Sequence, residues 1–349
     1  MSKNQSPIGV AIAGLGFGEA VHLPALKANP ELMPVALWHP NSERLHKACQ
    51  EHDLTGYNEW SALLADQKVE AIILATPPGP RFELAREALT AGKHLLLEKP
   101  VALHADQVAA LQRLAIGSRL SVAVDFEYRA VPLFMQAQRL LAKGAVGTPW
   151  LVKLDWLMSS RANASRPWNW YSQAEAGGGV IGALGTHAFD ILHWLCGPTS
   201  SVNGLLSTSI RKRPDPKSGE SIEVSSEDVA LAQLKLDTAQ GSDLPAQVSL
   251  SAVALQGRGC WLEIYGSKGS IVLGSDNQKD YVHGFNLWAA AAGEPLKNIS
   301  ADADLVFPNT WIDGRIAPVA KLQGWWAESI RSGHPMVPGL AEGWASQQV

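Results

Sequence analysis

Apolar residues follow two different rhythms along this chain. Up to about residue 124 they form short, near-continuous runs: Ile8–Ala13, Met33–Trp38, Ala71–Ala75, His94–Leu97 and Leu120–Val124. Between them lie stretches with helical spacing, Asn41–His52, Arg81–Ala91 and Ala105–Leu114. A strand apolar on both faces is buried on both faces, so this alternation predicts a parallel sheet covered by helices above and below. That is a doubly wound α/β Rossmann domain, expected over residues 1–124, with its ligand at the carboxyl ends of the strands.

After residue 125 the rhythm changes. A helical segment, Pro132–Lys143, leads to a strand at Pro149–Met158, a glycine-rich patch and a helix over Thr186–Cys196. Longer alternating runs follow at Asp228–Leu236, Ala246–Leu255, Cys260–Tyr265 and Ser270–Leu273. They predict an α+β domain over residues 125–349 with one large sheet of antiparallel strands. The polar stretch Arg211–Ser226 reads as an exposed loop, and residues 275–310 show no clear period. A helical pattern opens at Gly343 and stops abruptly at Val349, the form a truncated end takes.

Composition narrows the classes. A chain of 349 residues is long enough for two cores, because single cores rarely grow beyond roughly 250–300 residues. Hydrophobic residues make up 46% and charged residues 18%, which excludes a largely disordered chain. The net charge of −4 and the lack of a long basic run give no sign of nucleic-acid binding. Cys49, Cys196 and Cys260 are widely spaced and odd in number, so they suggest neither a disulfide framework nor a zinc motif. No metal site is expected. The opening MSKNQSPIGVAIAG lacks the apolar stretch and cleavage site of a secretory signal, and no apolar run is long enough to span a bilayer. A soluble, cytoplasmic protein with reduced thiols is expected.

Two stretches carry the first chemistry. Ile8 to Gly18 reads IGVAIAGLGFG, a strand followed by Gly14, Gly16 and Gly18. Glycines there permit a tight turn and close backbone approach, so amide groups and a helix N-terminus can meet a pyrophosphate. The third position of G-x-G-x-x-G is Glu19, so a plain strand–turn–helix is the alternative. At the end of the second strand, where an acid would bind the adenosine ribose of NAD, the chain has His39. With Ser42 and Arg44 nearby, a 2′-phosphate fits, which favours NADP over NAD. Alternatively, Ser42 and Arg44 merely begin a solvated helix.

Further along, Thr76-Pro77-Pro78 forms a rigid loop at the same sheet edge, either lining the cofactor or serving as an ordinary βα connection. Lys99, in Leu97-Glu98-Lys99-Pro100, ends a buried strand and would face the crevice. There it could hold a substrate hydroxyl or carbonyl by charge and assist proton transfer. Taken alone, a lysine after a strand is usually a surface residue. Arg161-Ala162-Asn163-Ala164-Ser165-Arg166-Pro167-Trp168-Asn169-Trp170-Tyr171 offers arginines and aromatics to a hydroxylated or acidic ligand, with Arg161, Trp168 and Trp170 as the contacts. The same segment could equally be a hydrophobic plug under the Gly177–Gly179 turn.

GLGFGEAVHLPAL, ATPP, GKHLLLEKP, GGGVIGALGTHAFDILHWL and LEIYGSKGSIVL together resemble the glucose-fructose oxidoreductase/inositol dehydrogenase (Gfo/Idh/MocA) family over nearly the whole chain. The resemblance implies a Rossmann domain followed by a domain with a large, mostly antiparallel open sheet, often used to form homodimers or homotetramers. It implies hydride transfer between a nicotinamide and a carbon of a sugar, sugar derivative or polyol. Lys99 would be the active-site lysine and His187 the acid/base histidine, both touching substrate. Asp125 falls where the family often has Asn near the nicotinamide. The expected cofactor contacts are therefore Gly14, Gly16, Phe17, Gly18, His39, Ser42, Arg44, Ala75, Thr76, Pro77, Glu98, Lys99 and Asp125.

One departure stands out. The family commonly places an aspartate four residues before the histidine, and here that position is Ala183. A carboxylate there can orient the imidazole or bind a hydroxyl. Its loss leaves His187 supported otherwise or shifts proton transfer toward Lys99. Asp190, one helical turn beyond His187, reads as facing the same side or as structural. Two alternatives share the fold: a cofactor-binding sensor that has lost the chemistry, and a dihydrodiol- or biliverdin-type reductase, whose planar substrates would suit Trp168 and Trp170.

Overall fold

The structure is a computed structural model that describes residues 6–238, 241, 243–277 and 280–349. The first five residues, read above as lacking a secretory signal, lie outside the described residues. The chain divides into two compact units, residues 1–127 with 309–348, and residues 128–308.

The first unit alternates strand and helix: β1 (Ile8–Ala13), α1 (Leu23–Lys27), β2 (Leu32–Trp38), α2 (Ser42–His52), β3 (Thr55–Tyr57), α3 (Trp60–Ala65), β4 (Ala71–Leu74), α4 (Pro78–Thr90), β5 (His94–Leu97), α5 (Ala105–Ile116) and β6 (Val122–Val124). Its six strands run in the order β3-β2-β1-β4-β5-β6, all parallel, which is the doubly wound Rossmann arrangement. Successive residues of each strand point to opposite faces. Ala11, Ala13, Ile72, Leu74, Leu95 and Leu97 therefore join one core, while Val10, Ile12, Ala71, Ile73 and Leu96 join the other. The first core is filled by Leu63, Ala85, Ala88, Val108 and Leu111, and the second by Leu23, Leu26, Leu45 and Ala48. This double burial is what the continuous apolar runs encode.

The second unit contains α6 (Pro132–Ala142), β7 (Pro149–Leu157), α7 (Thr186–Cys196), β8 (Thr199–Ser207), β9 (Lys212–Pro214), β10 (Ser221–Glu223), β11 (Val229–Asp237), β12 (Asp243–Ser251), β13 (Gly259–Gly266), β14 (Gly269–Ser275), α8 (Tyr281–Gly284), β15 (Asn286–Ala291) and β16 (Lys297–Asn298). Eight strands form one open sheet, β16-β15-β14-β13-β7-β12-β11-β8, antiparallel throughout except for the β12–β7 pair. One face buries Val152, Leu154, Trp156, Leu262, Ile264, Ile271 and Leu273 against Phe134, Phe189 and Leu192 of the two long helices. Leu151, Val202, Leu205, Leu206 and Leu231 are exposed.

Two expectations need correction. Arg211–Ser226 is not simply a loop, because β9 and β10 pair within it and Arg213 is buried, donating to the carbonyls of Asn163 and Arg161. Strands of three residues are too short to show a period. The second expectation concerns residues 309–348, expected as part of the second domain. Here α9 (Ile316–Ser332) and α10 (Leu340–Gln348) pack in the first unit. Leu322 and Trp326 of α9 complete one core and Leu340 of α10 the other, and Gly339 bridges to Ala123 at the sheet edge. The crossover helices α1 and α3 are only five and six residues long, and the tail adds to the cover on both faces.

Candidate functional site

Apart from Ser42 and Arg44, which lie in α2, every stretch expected to line a cofactor directly follows a strand of the parallel sheet. Gly14–Gly18 follow β1, His39 follows β2, Ala75–Pro77 follow β4, Glu98 and Lys99 follow β5, and Asp125 follows β6. Parallel strands put these ends along one edge, and the strand order reverses between β1 and β4. That reversal is where a dinucleotide crevice forms.

The three glycines have three different jobs. Gly14 has φ +105°, and a Cβ there would lie 2.6 Å from the Ala75 carbonyl oxygen. At Gly16 a Cβ would meet nothing within 4 Å, so the backbone is open to a ligand from outside. At Gly18 a Cβ would lie 2.8 Å from Ile12 Cγ2, which makes this the glycine of close helix-on-strand packing. It performs that role one residue before the usual third position. Residues Gly18–His22 form a π-helical turn, with the Leu23 N–H donating to the Gly18 carbonyl. The wider turn accommodates the shifted glycine and Glu19 after it. Together the open Gly16 and the two tight glycines fit a pyrophosphate cradle.

Beside the turn, Arg44 Nη2 donates to the Leu15 carbonyl at 3.4 Å. Asn41 caps α2 by accepting from Arg44 N, and its own N–H donates to His39 Nδ1 at 3.0 Å. Burial, then the charge of Arg44, holds the His39 imidazole below its ordinary pKa. Ser42 is exposed at the first position of α2. Thr76 is buried, Pro77 is exposed ahead of α4, and Phe17 packs edge-on against His22 with the Arg315 guanidinium 5.3 Å from its ring centroid.

Next to Lys99 in sequence, Glu98 belongs to a buried polar network whose members His22, Glu127 and Gln323 were not expected at the site. His22 is fully buried, with Nε2 3.0 Å from Glu98 Oε1 and 3.5 Å from Asp125 Oδ2. Gln323 of α9 places Nε2 3.3 Å from both His22 Nδ1 and the His22 carbonyl, fixing the ring. The donor atoms of His22, Glu98 and Asp125 lie within 4.8 Å of one another, close enough to share a proton or hold a cation. Burial opposes charge on Glu98, yet the hydrogen bond and charge of His22, with Lys99, bring it down to about 2. Asp125 behaves oppositely: burial, then the charges of Glu98 and Glu127, holds its proton well above the usual carboxylate range. Burial pushes Glu127 up to about 8 against the pull of Lys99. Half-buried Lys99 is thus electrostatically coupled to three buried carboxyls.

Arg81 builds the loop that presents Lys99. Its buried guanidinium donates to the carbonyls of Glu98 (2.5 Å), Pro100 and Thr76, tying two strand ends to α4. Burial lowers its pKa to about 10, which leaves it charged at neutral pH. The only sequence signal was an arginine after Pro-Gly-Pro at a helix start.

In the second unit, residues Ile181–Gly185 form another π-helical turn ahead of α7. His187 in the first turn of α7 is 4% exposed, its ring 4.9 Å from Tyr128 and 6.1 Å from Trp156. Asp190 is engaged by Arg129 in a two-pronged pair of 2.8 and 2.7 Å, and this pair is structural. Ala183 sits inside the π turn, where the Ile181 amide donates to Glu227 Oε1 at 2.8 Å. Arg161 lays its guanidinium over the Tyr171 ring, 3.5 Å from the centroid. Trp168 is held by β9 and β10, its N–H donating to the Pro214 carbonyl and its indole to the Glu223 carbonyl. Trp170 is 37% exposed. The Gly178 and Gly179 amides donate to the carbonyls of Gln173 and Tyr171, so the segment is fastened to the glycine turn.

Sheet order and glycine geometry define a dinucleotide-binding Rossmann protein. Residues 8–126 match the family described as an oxidoreductase family with an NAD-binding Rossmann fold, and residues 134–272 match the GFO/IDH/MocA C-terminal domain. An uncharacterized oxidoreductase of Synechocystis sp. is 44% identical over 340 residues, covering 97% of this chain and 91% of the relative. Levoglucosan dehydrogenase of Pseudarthrobacter phenanthrenivorans is 28% identical over 217 residues, covering 59% of this chain and 56% of that enzyme. A solved oxidoreductase domain protein from Kribbella flavida has a TM-score of 0.87 at 25% identity, covering 98% of this chain and 95% of its own. A levoglucosan dehydrogenase in complex with NADH and L-sorbose shares the fold, with a TM-score of 0.86 at 24% identity over 97% of this chain and 94% of its own. The chain belongs to the Gfo/Idh/MocA family of NAD-binding oxidoreductases. Among the described residues no helix is long and apolar enough to cross a membrane.

Proposed function

We propose that the chain is an NAD(P)-dependent dehydrogenase or reductase that interconverts CH–OH and C=O at a carbon of a sugar, sugar derivative or polyol. The observation that carries this reading is Lys99, half-buried at a strand end of the dinucleotide edge, where its charge is felt by the buried carboxyls of Glu98, Asp125 and Glu127. A bound nicotinamide supplies the hydride donor or acceptor. The protein supplies the rest: Gly14, Gly16 and Gly18 cradle the pyrophosphate, Lys99 holds the reacting oxygen by charge, and His187 exchanges its proton. The dehydrogenases of levoglucosan and D-xylose among the relatives support a carbohydrate substrate. With His39 where an acid would stand and Ser42 and Arg44 nearby, NADP is the favoured cofactor. The exposed apolar residues of the open sheet suit a homodimer or homotetramer.

Ala183 favours one rival, a cofactor-binding sensor without turnover. Titration with NADPH and NADH, followed by absorbance against ketoses, aldoses, polyols and aromatic carbonyls, separates the two. Turnover with a carbohydrate supports the enzyme. Tight cofactor binding without turnover of any compound supports the sensor, and turnover of aromatic carbonyls alone supports the dihydrodiol- or biliverdin-type reductase.

A further inference from the structure

The β12–β7 pair is the parallel exception in the second sheet, so Leu157 and Ser251 finish at one end together. The chain leaving β7 stays there, with the Met158 amide donating to the Ser251 carbonyl and the Arg161 amide to the Ala252 carbonyl, at 2.8 and 2.7 Å. His187 belongs to the same end of this unit. Its ring lies beside Trp156, and Gly185 just before it packs against Leu250 of β12.

Three guanidinium groups gather at this end. Arg213 donates to the carbonyls of Asn163 and Arg161, Arg166 Nη1 donates to the Ser160 carbonyl, and Arg161 stacks on Tyr171. They sense one another: burial, with Arg166 and Arg213 adding to it, lowers the Arg161 pKa to about 10. Among the described residues, no carboxylate forms a salt bridge with any of the three. Asp228, the acid that Arg213 feels, already accepts from the amides of Ser209 and Ile210. Arg161 is charged, half-buried and held by a ring face, and among the described residues its planar edge of N–H donors meets no protein acceptor. Arg161 and Arg213 are drawn out of water close to a third cation, the exposed Arg166, a placement that a bound anion would favour. The ring stack also fixes the guanidinium plane in advance, so an oxyanion can be met by two parallel N–H groups.

We infer that Arg161, with Arg166 and Arg213 behind it, forms a subsite for an oxyanion on the substrate, so that the substrate is a sugar bearing a carboxylate or a phosphate. The inference rests on the reading of the chain as a sugar or polyol oxidoreductase and narrows its substrate class. Trp168 and Tyr171 supply the apolar wall beside the charge, and Arg213, tied to two backbone carbonyls, supplies field rather than direct contact.

The test compares matched compounds on the intact protein: glucose, gluconate, glucuronate and glucose 6-phosphate, each with NADP and NAD. Calorimetric binding is measured beside turnover, at low and high salt, for the parent, Arg161→Met, Arg161→Lys and Arg166→Ala. The expected result is that one class of acidic sugar binds about tenfold or more tighter than glucose, the scale of a charged hydrogen bond. High salt and Arg161→Met should each erase that ratio, while Arg161→Lys keeps part of it. Carboxylated and phosphorylated sugars distinguish the two sources of the anion. Equal binding of neutral and acidic sugars, or a preference unchanged in Arg161→Met, overturns the subsite even if sugar turnover stands. Acidic sugars that bind through Arg161 without turnover keep the subsite and count against the enzyme reading.

Discussion

The two units bury charge in opposite ways. In the second unit, Arg129 and Asp190 satisfy each other through two parallel hydrogen bonds, both deeply buried. In the first, His22, Glu98, Asp125 and Glu127 are packed together incompletely, and both Asp125 oxygens lack a hydrogen bond among the described residues. The consequences follow from this difference. The complete pair fixes α7, while the incomplete cluster drives Glu98 down and Asp125 and Glu127 up, and shares the charge of Lys99. A buried ion pair that is fully matched builds structure, whereas buried carboxyls that hold their protons beside an ionised neighbour are poised for proton chemistry.

The sharpest way to break this contrast is at Lys99. Lys99→Met should lower kcat/KM by about a thousandfold, within the range for a lost group that moves protons and holds charge. Cofactor affinity, followed by NADPH fluorescence, should change far less. The structural pair should respond in stability instead. Arg129→Met removes both hydrogen bonds that Arg129 makes to buried Asp190 and should cost about 3–5 kcal/mol in urea unfolding. Adding Asp190→Leu should recover much of that loss.

Next in size is a pH effect. Glu127 titrates near 8 in the folded chain against about 4.3 when unfolded, so the folded state binds the extra proton between those values. Stability from this group is present at low pH and is lost as pH rises through that window, by up to about 1.4 kcal/mol per pH unit. Glu127→Gln should flatten the decline, as urea midpoints at pH 5.5, 6.5 and 7.5 would show. The smallest effect concerns cofactor choice: Arg44→Ala should weaken NADPH relative to NADH by about tenfold, the scale of one charge-assisted hydrogen bond to phosphate. An unchanged ratio of dissociation constants would place Arg44 outside the cofactor contacts.

What the sequence made legible was local. Ile8–Ala13 and Thr186–Cys196 match their expected bounds, because a strand buried on both faces is a continuous apolar run and a helix buried through its first two turns is rich in apolar residues. Lys99 was legible because it sits where a strand must end. Other residues were opaque because their partners are remote. Gln323 meets His22 across 301 residues, and Arg81 closes over a loop 17 to 19 residues away. No periodicity marks such meetings. Strand β8, almost wholly exposed, lacks the burial rhythm that would announce it. Helix α9 was missed as a helix and as part of the first unit, since packing rather than proximity in sequence decides which core a segment completes.

The most direct test of the central claim is reduced-nicotinamide absorbance with the intact protein and a panel of neutral and acidic sugars and polyols, with Lys99→Met run in parallel. Hydride transfer with at least one carbohydrate is expected in the parent, with its near loss in the variant while cofactor binding is retained. Failure of the parent to bind either NADPH or NADH would contradict the account, as would turnover that survives Lys99→Met undiminished.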